Sequence, residues 1–164
     1  MAGKVTVVGA GFYGSTTAMR LAEYNVFDEV VLTDIVEGKA EGLALDMNQS
    51  RPVEGFETKV VGQTTGLDGS GYEAIAGSDI VVVTAGLPRK PGMSRMDLIE
   101  TNAKIVRQVA ENVARHAPGA VVIVHPECRP VTVLEADEAL GTAGMRRFCA
   151  RSESREFIIG TETG

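Results

Sequence analysis

The chain has 164 residues, of which 44% are hydrophobic, and it contains no low-complexity tract, so it can bury one core of ordinary size and one domain is the natural count. A net charge of −6 and a pI near 5.0 exclude a basic nucleic-acid surface and attraction to an anionic membrane. No apolar run approaches the roughly 20 residues needed to cross a bilayer, and Met1 leads almost at once into a strand, so a cytoplasmic protein is expected.

The first element is a short apolar strand, Lys4 to Val8, followed directly by Gly9-Ala10-Gly11-Phe12-Tyr13-Gly14 and a helical pattern through Ala18, Leu21 and Ala22. This is a G-x-G-x-x-G turn between strand and helix. Gly9 permits the tight turn, Gly11 removes a side chain that would block a pyrophosphate, and Gly14 lets the helix approach the strand. The helix N-terminus would face the phosphates with free N–H groups and a partial positive charge. Such a turn also occurs as a purely structural device, and the next strand discriminates between the two readings. Glu29 to Thr33 ends in Asp34, twenty positions after Gly14, where a carboxylate accepts the hydroxyls of an adenosine ribose. A dinucleotide is the ligand this combination predicts. Asp34 would repel a 2′-phosphate and its neighbour Ile35 offers no compensating cation, so NAD is expected over NADP.

A helix is predicted from Val36 to Met47, a third strand at Lys59 to Val61, and a fourth at Ile80 to Thr84. Between strands three and four, Gly62 to Gly71, with Gly66 and Gly69, reads as a flexible surface loop without chemistry. A long helix, Ser94 to His116, and a fifth strand, Ala120 to Val124, follow. Short apolar strands alternating with helices imply an α/β, doubly wound, mostly parallel sheet buried on both faces. Ligands of such sheets sit at the carboxyl ends of the strands, where Gly9, Asp34 and Thr84 to Gly86 fall. The loop Thr84 to Arg95 carries Arg89, Lys90 and Arg95 between prolines and glycines. Arginine forks bind carboxylates bidentately, so the loop reads either as a lid over an anionic substrate or as a solvated basic loop before a helix. His116, at the end of the long helix, reads as a solvated, dipole-favoured histidine.

Residues Lys4 to about Val124 resemble the cofactor domain of the malate dehydrogenases of the lactate/malate dehydrogenase family. The motifs are V-V-G-A-G-F-Y-G-S-T-T-A, the strand ending Thr33-Asp34, G-L-A-L-D-M, and T-A-G-L-P-R-K-P-G-M-S-R-M-D-L. The resemblance implies NAD as cofactor, with Gly9, Gly11, Gly14, Asp34 and Asn102 toward it, and a small dicarboxylate, malate or oxaloacetate, as substrate. It implies that Arg89 grips the distal carboxylate and Arg95 polarises the reacting carbonyl. It also implies a homo-oligomer packed on the helix Ser94 to His116. The family's S-N-P segment after strand five is His125-Pro126-Glu127 here, and the later arginine and the aspartate–histidine pair that moves the proton do not occur. Malate oxidation needs a base for the hydroxyl proton, so no complete catalytic set is expected.

From about Val121 the chain resembles quinolinate synthase instead, in V-V-I-V-H-P-E-C-R-P, L-E-A-D-E-A-L-G-T-A-G-M and S-R-E-F-I-I-G-T-E-T-G. That resemblance implies substrate contacts for His125, Glu127 and Thr142. The three cysteines that hold a [4Fe–4S] cluster in that family have no counterparts, since Cys128 and Cys149 are the only cysteines and do not fill its motifs. Two inert thiols and no metal are expected. Two units follow: a dinucleotide-binding domain at 1–124 and a βα extension at 125–164. The extension would carry Val131 to Ala136, Glu138 to Leu140, Ala143 to Ala150 and Phe157 to Gly160 onto the same sheet. The chain stops just after Phe157-Ile158-Ile159, which reads as an interrupted domain. Three accounts stay open: an NAD-binding module without malate turnover, an enzyme in which His125 is the base, and a misjoined reading of two genes.

Overall fold

The computed structural model of the chain describes residues 3–124. β1 (Lys4–Val8), β2 (Glu29–Asp34), β3 (Lys59–Thr64), β4 (Ile80–Val83) and β5 (Val121–Val124) form one parallel sheet in the order β3-β2-β1-β4-β5. The helices between them are α1 (Phe12–Glu23), α2 (Lys39–Glu54) and α3 (Arg95–His116), with a single 3-10 turn at Tyr72–Ile75 before β4. The expected α/β, doubly wound architecture is present. The predicted elements beyond Val124, and with them the proposed extension of the sheet, lie outside the described residues.

Alternation along the strands decides which helix covers which face. Val5 and Val7 of β1 and Val30 and Leu32 of β2 are fully buried on one face, against Ala18 and Ala22 of α1 and Ala40, Ala44 and Met47 of α2. Val8, Val81 and Val83 turn to the other face and pack with Ile75, Tyr72 and the α3 residues Val109 and Val113. Each fully buried valine or leucine contributes about 1.5–3 kcal/mol, which is why strands this short persist in the interior. Thr6, also fully buried, shares a 2.7 Å hydrogen bond with the Ser78 hydroxyl, which donates to the Ile75 carbonyl.

Strand order reverses at β1, because β2 and β3 lie on one side of it and β4 and β5 on the other. Helices leaving neighbouring strands there diverge to opposite faces, and their divergence opens a crevice above the carboxyl ends of β1 and β4.

Three differences from the sequence expectation concern α2 and the stretch after Val61. α2 starts at Lys39 rather than Val36, because Gly38 holds a left-handed φ of +73° that no continuing helix can contain. Ile35 and Val36 are exposed before it. α2 then continues past Met47 to Glu54, its final turns fixed by Asn48, whose side chain bonds both the N–H and the carbonyl of Val60 on β3. The third difference is the Gly62–Gly71 stretch. Its first three residues belong to β3, and a Cβ on Gly62 would overlap the Ala40 carbonyl of α2. That glycine serves close helix–strand packing, not flexibility. A Cβ on Gly71 would overlap the Thr64 carbonyl, and Thr65 is buried.

Candidate functional site

The crevice is an open groove of about 410 Å³ lined on one side by Val8, Gly9 and Gly11, at its far end by Asp34 to Val36 and Lys39, and elsewhere by Thr65 to Leu67, Tyr72, Thr84 to Pro88 and the α3 residues Ile105, Gln108 and Val109. It therefore brings together Gly9 and Gly11 of the glycine turn and the carboxylate of β2, while Gly14, buried within α1, does not line it.

The three glycines differ in what they make room for. Gly9, at φ +105°, would place a Cβ about 3 Å from the backbone of Ala85, so the turn and the β4 loop pass each other at backbone distance. A Cβ on Gly14 would overlap the Gly9 carbonyl and crowd the Thr84 hydroxyl, which bonds the carbonyls of Val8 and Gly9 at 3.1 and 2.9 Å. Gly11 is different: a Cβ there meets no protein atom within 4 Å. Its missing side chain leaves space in the groove rather than in the fold. Gly11 is also the N-cap of α1, no side chain caps that terminus, and no acidic residue lies in its first turn. An anion placed over the turn meets the positive end of the helix without competition from a carboxylate.

Asp34 has a side chain only 11% exposed. Oδ2 accepts from the Ala10 N–H at 2.7 Å and Oδ1 from the Val36 N–H at 2.9 Å. The carboxylate thus ties β2 to the glycine turn while lining the groove. Lys39 Nζ stands 3.4 Å from Oδ2. A cation thus stands beside this carboxylate from the start of α2, although Ile35 next to it in sequence carries none.

Arg89 and Arg95 are exposed and do not line the groove. Arg89 Nε donates to the Met93 carbonyl at 3.2 Å, which curls the loop back on itself. Arg95 is the first residue of α3, behind a capping box in which Ser94 accepts from the Asp97 N–H and Asp97 accepts from the Ser94 N–H. The Ser94 hydroxyl, then its N–H, hold the Asp97 carboxyl below its ordinary value. Asn102 is buried, and its amide spans the backbone of Leu87: Oδ1 accepts from Leu87 N–H at 2.7 Å and Nδ2 donates to its carbonyl at 3.2 Å. It fixes the root of the arginine loop where that loop leaves the groove. His116 is half-buried at the end of α3 rather than solvated, its ring 6.3 Å from that of Tyr72. His125, Glu127, Thr142, Cys128 and Cys149 lie outside the described residues. Among the described residues no group of acidic, histidine or cysteine side chains could hold a metal ion, and no helix is long and apolar enough to cross a membrane.

Sequence reasoning missed the wall opposite the glycine turn. Thr65 and Leu67 come from the stretch expected to be a plain loop and Tyr72 follows it directly, and burial raises the Tyr72 hydroxyl above its ordinary value despite a bond to Thr65. Gln108 Nε2 donates to the Leu67 carbonyl, which anchors this wall to α3. The available signal was the i, i+3, i+4 spacing of Ile105, Gln108 and Val109, which places them on one helical face.

A family model described as the lactate/malate dehydrogenase NAD-binding domain matches residues 3–140. The malate dehydrogenase of Chloroherpeton thalassium is 51% identical over 121 residues, covering 74% of this chain and 37% of that protein. Among solved structures, the apo malate dehydrogenase of Picrophilus torridus superposes with a TM-score of 0.72 at 41% identity, covering 76% of this chain and 38% of its own. The malate dehydrogenase of Archaeoglobus fulgidus in complex with NADH gives 0.67 at 39% identity, covering 74% and 39%. This chain spans little more than a third of the length of the curated relatives it matches. With a glycine turn, a carboxylate-tipped second strand and a match over most of its length, the chain belongs to the lactate/malate dehydrogenase family as an NAD-binding domain.

Proposed function

We propose that the groove binds NAD in a malate dehydrogenase-type oxidoreductase, and that the chain by itself binds the cofactor without turning over malate. The observation that carries this is the contrast among the glycines: Gly9 and Gly14 are required by the protein's own packing, whereas the space beside Gly11 is left to a ligand. The pyrophosphate would lie over Gly9, Gly11 and Gly14 at the start of α1, and Asp34 would accept the ribose hydroxyls. Bound NAD supplies a hydride acceptor, and NADH the corresponding donor.

The dicarboxylate reading rests on the arginine loop. Arg89 takes the distal carboxylate of malate or oxaloacetate and Arg95 polarises the carbonyl, once the loop rooted by Asn102 closes over the groove. Asn102 contributes to cofactor binding through that loop. The loss of turnover rests on proton chemistry. The chain has two histidines, His116 and His125, and lacks the aspartate–histidine pair and the later arginine expected from the family resemblance. A cytoplasmic location and self-association through α3 complete this reading.

For residues beyond about Val121 we infer a quinolinate synthase-like origin, with His125, Glu127 and Thr142 as remnants of that substrate site. The division at 1–124 and 125–164 follows from it. The dehydrogenase family match runs on to residue 140, so the two assignments compete over the first part of this segment. Sequencing single long DNA molecules across the codons for Arg115 to Arg129 tests the join. Halves that never share a molecule make it an artefact, and one open frame makes it a real product.

NADH titration of the purified chain, followed by an oxaloacetate-dependent NADH oxidation assay, tests the function. Saturable binding that is lost in Asp34→Ala, with no oxidation, is the expected result. No binding refutes the cofactor reading. Oxidation abolished by His125→Ala establishes instead an enzyme with His125 as base.

A further inference from the structure

The chain after β2 takes a path that the sequence around Asp34 does not disclose. Ile35 and Val36 are exposed along the groove, Gly38 reverses the backbone at φ +73°, and Lys39 returns to Asp34 as the first residue of α2. Its Nζ lies 3.4 Å from Asp34 Oδ2, and both residues line the groove. The carboxylate does not depend on this partner for satisfaction, because the Ala10 and Val36 N–H groups already bond one oxygen each. An ammonium group carries three donors, so contact with Oδ2 leaves two for another acceptor. The Lys39 side chain is 40% exposed, which keeps those donors reachable by a ligand in the groove.

Resting on the reading of this groove as the NAD site, we propose that Lys39 is a specificity-determining residue that moderates discrimination by Asp34 against a 2′-phosphate, so that NADPH is accepted as a weaker second cofactor. A 2′-phosphate occupies the position where the ribose hydroxyl meets Asp34. Without a nearby cation it would face the carboxylate alone. With Lys39 in place, a dianion there meets one negative and one positive charge a few ångströms apart, and the two Coulomb terms largely cancel. The ammonium also makes a charge-assisted hydrogen bond to phosphate, which it cannot make to a ribose hydroxyl with the same strength. Preference for NADH persists, because Asp34 bonds the free ribose hydroxyls and NADPH offers it one fewer.

The test is fluorescence titration of the full chain with NADH and with NADPH, in the native protein and in Lys39→Met, Lys39→Arg and Asp34→Asn. Lys39→Met is expected to lower the NADPH-to-NADH affinity ratio about tenfold, and Lys39→Arg to keep it within about twofold. Asp34→Asn, which removes the repulsion but leaves the cation, should raise the ratio about tenfold. Added salt should shrink the difference between native protein and Lys39→Met, because the ammonium is partly exposed. An unchanged ratio in Lys39→Met, with NADH still bound by the native protein, overturns the inference alone. Equal weakening of both cofactors also overturns it, since Lys39 would then support the site without reading the 2′-position. If native protein binds neither cofactor, the NAD reading of the groove falls, and this inference with it.

Discussion

The carboxylate of Asp34, at the end of β2, accepts a 2.7 Å hydrogen bond from the N–H of Ala10 inside the glycine turn that follows β1. One residue therefore joins two neighbouring strands at the point where the groove opens. Position and chemistry are coupled, since in the proposed NAD site a change at Asp34 would alter both the ribose contact and the turn beneath the phosphates.

Asp34→Ala accordingly should fail in two ways. It leaves the Ala10 and Val36 N–H groups without their acceptor, which costs about 1–3 kcal/mol for the more buried of them. It should also weaken NADH binding by more than about tenfold. Urea unfolding and NADH titration on the same preparation measure the two effects. A variant of native stability would show that the Ala10 bond contributes nothing.

The glycines separate folding from binding. Gly14→Ala should destabilise the chain by about 3 kcal/mol or more, because its Cβ meets the Gly9 carbonyl, a backbone atom that cannot move aside. Gly11→Ala meets open space and should cost under about 1 kcal/mol as an N-cap change, while reducing NADH affinity. Thermal unfolding ranks the two variants, and the reverse order would contradict the geometry.

Asn102→Ala removes both hydrogen bonds to Leu87 from a buried site, with an expected loss of about 1–3 kcal/mol. Asn102→Asp keeps the acceptor for the Leu87 N–H and loses the donor. Hydrogen exchange at the Leu87 amide should be strongly accelerated by alanine and little by aspartate. Equal exchange in both variants would mean that the loop is held elsewhere.

Glu41 couples stability to pH. Burial alone would raise its carboxyl, but bonds from the Thr64 hydroxyl, its own backbone and the Thr64 N–H prevail and hold it below the ordinary 4.5. A depressed folded value means the ionised form stabilises the native state; this contribution is complete above the unfolded value and fades as pH falls through the folded one. Comparing Glu41→Gln with the native chain, the stability difference should be constant near neutral pH and shrink below about 4.5. A difference that stays constant down to the acid transition would show that the charge of Glu41 plays no part.

Much of this protein was legible from local sequence. The strand–turn–helix order, the parallel sheet and the placement of Gly9, Gly11 and Asp34 at or just after the carboxyl ends of neighbouring strands follow from apolar runs and glycine spacing, which act over a few residues along the chain. Tertiary structure decided the rest, because it depends on contacts between segments distant in sequence. Gly62 and Gly71 look like loop glycines until α2 and β3 close over them. Thr65, Leu67 and Tyr72 become a groove wall only when α3 packs opposite β4. Lys39 is five residues from Asp34 along the chain, a separation that fixes no distance; the left-handed Gly38 turn returns its ammonium to within 3.4 Å of that carboxylate.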